Sequence, residues 1–116
     1  VADYADDPAP ALRETVAGAL YNQGVRLGVL GRSGEAVAVY GRVVADYADD
    51  PAPALRKQVA QALNNQGVDL AGLGRSEEAV AVYGRVVADY ADDPAPALRE
   101  AVSRAREALG EAEGLP

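Results

Sequence analysis

The sequence predicts an all-α fold, an α-solenoid of antiparallel helix pairs with five main helices, on three observations. A unit of 43 residues, 1–43, returns as 44–86 with eight differences and starts a third time at Val87. A fixed period of this size marks an array of stacked units, none of which buries its apolar face alone. Within each unit the apolar residues recur at steps of three or four, the period of a helix. Each unit is also punctuated twice, by Asp7-Pro8-Ala9-Pro10 and Gly31-Arg32-Ser33 in the first copy, which divides it into two helices.

In chain order, residues 1–7 read as the tail of a preceding helix B, so the chain is expected to start inside a longer array. Repeat 1 then covers 8–50, repeat 2 covers 51–93, and a C-terminal capping helix covers 94–116, all within one repeat domain. Asp7-Pro8 should open helix A1, because the carboxylate accepts orphan N–H groups and proline in the first turn loses no bond. A1 is expected over about 8–30, with Leu12, Val16, Leu20, Leu27 and Leu30 as one buried stripe. Gly24 lies on that stripe, where glycine costs about 1 kcal/mol against alanine. The expected compensation is close approach by a neighbouring helix, and Gly67 repeats it.

Gly31 suits the left-handed position after a helix end, and Ser33 is the expected N-cap of helix B1. Glu35 then lies in the first turn, where the helix dipole favours an acid. B1, about 34–48, should bury Ala36, Val37, Tyr40, Val43, Val44 and Tyr47. Repeat 2 gives A2 over about 51–73 and B2 over about 77–91. A3, about 94–113, keeps Leu98, Val102, Ala105 and Leu109 but carries Arg106, Glu111 and Glu113 where earlier copies have Leu or Val. A terminal repeat needs a polar outer face, so A3 reads as a natural C-terminal cap.

Composition narrows the function. The 116 residues carry a net charge of −7, from 18 acids and 11 bases, the wrong sign for neutralising nucleic-acid phosphates. No stretch approaches the roughly 18 apolar residues of a membrane span. There is no cysteine and no histidine, which removes thiolate nucleophiles, zinc–thiolate sites and the commonest acid–base partner. The start of the chain has acids where a signal peptide needs bases, and the expected location is cytoplasmic. Arginine outnumbers lysine ten to one, as in a GC-rich bacterial genome, though engineering gives the same bias.

The acid pairs Asp6-Asp7, Asp49-Asp50 and Asp92-Asp93 sit on solvated turns, not across a cleft, so they read as helix caps and not as acid–base or metal pairs. The glycines form no phosphate loop. The chain is therefore expected to be no enzyme, with no cofactor and no metal. Tyr4, Tyr47 and Tyr90 are equivalent, as are Tyr40 and Tyr83, and all five fit a core role. Tyr21 is replaced by Asn64 in the second copy, so packing does not require its ring.

Asn22-Gln23-Gly24, Leu27, Gly31, Ala36 and Tyr40 resemble the tetratricopeptide repeat, and Asn65-Gln66-Gly67, Leu70, Gly74, Ala79 and Tyr83 do so again. The resemblance covers about 34 residues of each unit. Two departures are a longer helix A, which lengthens the period to 43, and Gln23 and Gln66 where the family usually has Leu. The resemblance implies a right-handed superhelix whose concave face, lined by A helices, holds a peptide or partner helix. It places groove contacts at Gly18, Tyr21, Asn22, Val25, Gly28 and Val29, and at Gln61, Asn64, Asn65, Val68, Ala71 and Gly72. Family members that bind a C-terminal carboxylate at the Asn22 and Asn65 positions also need Lys or Arg nearby, and this set contains none.

Four of the eight differences between copies fall on those groove positions (18/61, 21/64, 28/71 and 29/72). The alternative reading is that exposed helix-A positions drift, since Glu14/Lys57, Thr15/Gln58 and Arg26/Asp69 differ too. Two functions follow. The first is a protein-interaction scaffold with a protein or peptide partner in the groove. The second is self-association, a homo-oligomer or domain-swapped assembly through repeat stacking.

Overall fold

Proline opens two of the long helices and a left-handed glycine closes two. The structure, a computed structural model, describes the backbone of residues 10–114 and the side chains of 10–111. It contains α1 (Pro10–Val29), α2 (Ser33–Tyr47), α3 (Pro53–Gly72), α4 (Ser76–Tyr90) and α5 (Pro96–Gly114), with no strand among the described residues. The expected tail over 1–7, with Tyr4 and the Asp6-Asp7 pair, lies outside the described residues, as does the side chain of Glu113.

Helices α3 and α5 start two residues later than the sequence suggests, at the second proline of their Pro-Ala-Pro and not the first, and the expected start of A1 at Pro8 lies outside the described residues. The cause is the aspartate. Asp50 accepts the Ala52 N–H at 3.0 Å and Asp93 accepts the Ala95 N–H at 2.9 Å. These side-chain turns hold Pro51 and Pro94 outside the helices, whose N–H-free first residues are Pro53 and Pro96. Ser33 and Ser76 are likewise the first helical residues and not caps. The cap positions belong to Arg32 and Arg75, without a side-chain cap bond. Each arginine instead pairs with an acid of the first turn, Glu35 or Glu78.

Gly31 and Gly74 adopt φ of +78° and +77°, as the sequence predicts. At each, two bonds run back into the helix: Arg32 N–H to Leu27 C=O at 2.9 Å and Gly31 N–H to Gly28 C=O at 3.0 Å, with the same pair at Arg75 and Gly74. This double bond pattern satisfies carbonyls that a helix end leaves orphaned.

Every helix packs against the next in sequence. In addition α1 touches α3 and α3 touches α5, whereas α2 and α4 do not meet. The three long helices thus share one layer, with the two short ones behind them. Gly24 and Gly67 are where the layers come closest. A Cβ at Gly24 would stand 2.5 Å from the Tyr40 ring, and one at Gly67 would stand 2.6 Å from the Tyr83 ring. Both rings are buried. Ion pairs repeat with the period: Arg13 to Asp50 at 2.8 Å and Arg56 to Asp93 at 2.6 Å, the latter with Arg56 5.3 Å from the centre of the Tyr90 ring.

The core follows the expected stripe in repeat 2 and departs from it in repeat 1. Leu55 and Val59 are 0% and 1% exposed, but their counterparts Leu12 and Val16 are 54% and 44% exposed; Leu30 and Leu73, at the end of the stripe, are exposed in both repeats. Leu20 and Leu27 are only partly buried. The side chains are the same; the difference is the neighbour. Helix α2 covers the back of α3, and no described element covers the back of α1. In α2, Ala36, Tyr40, Val43 and Val44 are buried, with Val37 and Tyr47 at the margin. Along α5, Leu98, Val102 and Ala105 are buried, Leu109 is partly so, and Arg106 is exposed.

Candidate functional site

The layer of long helices carries two adjoining cavities. The first, about 170 Å³, lies among α1, α3 and α5 and is lined by Tyr21, Lys57, Gln61, Asn64, Asn65, Ala97, Glu100, Ala101 and Arg104. The second, about 250 Å³, lies between α1 and α3 and is lined by Val25, Gly28, Val29, Tyr40, Asn65, Val68 and Asp69. Asn65 borders both, so the two form one groove along α3.

Side-chain bonds fix the wall. Asn65 Nδ2 donates to the Tyr21 hydroxyl at 2.9 Å, tying α3 to α1. The Tyr21 ring leans on the Tyr40 ring at 5.9 Å and 51°. Burial pushes the Tyr40 hydroxyl above its ordinary pKa, so it stays protonated. Asn64 is 8% exposed, and its Nδ2 donates to the Ala101 carbonyl at 3.0 Å. That bond sets the orientation of the amide and turns Oδ1 the other way, where it is buried without a partner. A buried acceptor left unpaired costs about 1–3 kcal/mol.

Asp69 is a half-buried carboxylate on the second cavity. No hydrogen bond or ion pair reaches its carboxylate among the described residues, and burial raises its pKa above the usual carboxylate range. It faces Gly28, where a Cβ would stand 3.5 Å from Oδ1. Around it Val25, Val29 and Val68 are exposed.

The groove positions named from the sequence divide. Tyr21, Gln61, Asn64 and Asn65 meet in the first cavity, and Val25, Gly28, Val29, Asn65 and Val68 meet in the second. Gly18, Asn22, Ala71 and Gly72 line neither; Gly18 instead faces Gln58, whose Oε1 would lie 3.9 Å from an added Cβ. The expectation of a groove without cations is corrected, because Lys57 and Arg104 line the first cavity. Arg104 is held by Glu100 at 3.0 Å. Lys57 and Asp69, taken from the sequence as drift, also belong to the groove. The signal that marks them is the one that marked Tyr21: each differs between copies.

Gln66, the departure from the usual Leu, is structural. Its Nε2 donates to the Val37 carbonyl at 3.1 Å across to α2, passing 3.4 Å from where a Gly41 Cβ would sit. On the opposite side, a cleft of about 390 Å³ separates α2 from α4 and is lined by residues such as Val44, Leu63, Gln66 and Val82. Every residue lining it is identical in the other copy.

No group of acids that could hold a metal ion occurs among the described residues, and no described helix is long and apolar enough to cross a membrane. Comparisons of the chain with protein-family models, with curated proteins and with solved structures find no match.

Proposed function

We propose that the chain is a non-catalytic interaction scaffold of tetratricopeptide-like, solenoid type, which holds a peptide or partner helix on the face shared by α1, α3 and α5. One observation carries this reading. Six of the eight pairs at which the two copies differ contribute a residue to the two adjoining cavities, namely Tyr21, Gly28, Val29, Lys57, Gln61, Asn64 and Asp69. The cleft behind, made of the same types of contact, contains no such position. Packing demands the same residues in each unit, whereas a partner with an uneven surface demands different ones.

The chemistry of the groove supports binding and not catalysis. Its polar groups are amides, one hydroxyl pair and single charges, with no nucleophile–base pair among them. The test is a random seven-residue peptide library selected on the chain, followed by an amide NMR titration with the enriched peptides. Shifts are expected at Tyr21, Asn64, Asn65 and Val68. Shifts confined to the turn at 74–78, or to the outer faces of α2 and α4, would remove the groove as the site.

Self-association is a second reading, favoured by the exposed back of α1. Leu12 and Val16 form an uncovered apolar patch among the described residues, suited to a second copy. Light scattering over a concentration series tests it. A mass constant near 12.0 kDa sinks it, and a mass that grows with concentration and falls back in Leu12→Ser supports it.

A further inference from the structure

One group in the groove lacks a partner of opposite charge. Asp69 is a half-buried carboxylate with no cation among the described residues, on the wall of the second cavity, among exposed valines. It calls for a positively charged hydrogen-bond donor.

Resting on the peptide-binding reading above, we propose that the groove recognises a segment bearing one lysine or arginine. The basic side chain lays its methylenes on Val25, Val29 and Val68 and brings its charge to Asp69. Long basic side chains suit such a place, since stem and head differ in polarity. The alternatives fare worse. An acidic segment would meet Asp69 with like charge, and a purely apolar one would bury that carboxylate unpaired, at a high cost.

The surrounding field agrees. Asp69 is close enough to Tyr40 and Tyr83 for its charge to bear on both hydroxyls, and Glu111 adds to it at Tyr83. The whole chain carries −7, which draws basic segments toward it. Of the two cations across Asn65, Arg104 is neutralised by Glu100, and Lys57 is exposed at the far end of the groove.

The peptides selected from the random library supply the test, on the full chain and on Asp69→Asn. Asp69→Asn removes the charge and keeps the shape. Expected is an enrichment of Lys or Arg at one position. Replacing that residue by Glu in the leading peptide should weaken binding by tenfold or more in fluorescence anisotropy, and Asp69→Asn should weaken the unaltered peptide by a similar factor. Added salt should weaken binding to the full chain more than to Asp69→Asn. Peptides that bind the groove with no basic preference, or equally well to Asp69→Asn, overturn this proposal and leave the groove reading standing. A selection that enriches nothing overturns both.

Discussion

At the residue scale, the two conserved-looking helix glycines of the repeat are there for the tyrosine rings that press on them. The Tyr83 ring would lie 2.6 Å from a Cβ at Gly67, and it is buried. Gly67→Ala should therefore lower the thermal midpoint, with overpacking of about 1–3 kcal/mol outweighing a helix gain of about 1 kcal/mol. Gly84→Ala is the control. Nothing lies within 4 Å of its Cβ, so it should stabilise by about 0.5–1 kcal/mol. Asp69 gives a second test. Its folded pKa is raised, so stability falls as pH climbs from the ordinary carboxylate value of about 3.9 through the folded one. Asp69→Asn should melt higher than the parent at pH 7, and the difference should vanish below about pH 3. The glycines were legible in the sequence because an unfavourable residue recurring in mid-helix needs a steric reason. Asp69 and Lys57 were not, because a charged residue on a helix looks the same whether it faces solvent or a groove.

At the element scale, the aspartate before each Pro-Ala-Pro does two tasks at once. Asp93 accepts the Ala95 N–H and holds Arg56 of the preceding long helix, and Asp50 does the same with Ala52 and Arg13. Both carboxylates are held below their usual pKa, first by the backbone N–H and then by the arginine. Their stabilisation is present above the ordinary carboxylate value and is lost as pH falls from there through the folded one. Acid melting followed by circular dichroism should show the parent losing stability below about pH 4. Asp93→Asn should start lower at neutral pH and lose less over the same interval. The sequence announced a cap at this place. The displaced start and the arginine were out of view, because the first depends on an aspartate side-chain turn and the second on a contact 37 residues away.

At the scale of the whole molecule, burial depends on stacking and not on residue type. Leu55→Ala should cost about 2–5 kcal/mol, as at other filled core sites. Leu12→Ala, the same change in the first copy, should cost well under 1 kcal/mol, because Leu12 is already 54% exposed. Chemical denaturation of both variants compares them directly, and equal losses would mean that the back of α1 is covered in solution. Periodicity identified the helices and the seam each presents. It could not say which seams meet a neighbour, since the two copies are identical along them.

The bonds between helices also fix how such a molecule grows. Arg13 to Asp50, Arg56 to Asp93, Asn64 to Ala101, Asn65 to Tyr21 and Gln66 to Val37 join positions 29 to 44 residues apart, about one period or less. None of these five bonds reaches to the far end of the chain. On the proposed scaffold reading, duplicating one unit in the gene would add a rung and lengthen the groove without asking these side chains to find new contacts, and the length of segment held would become something that copy number alone can set.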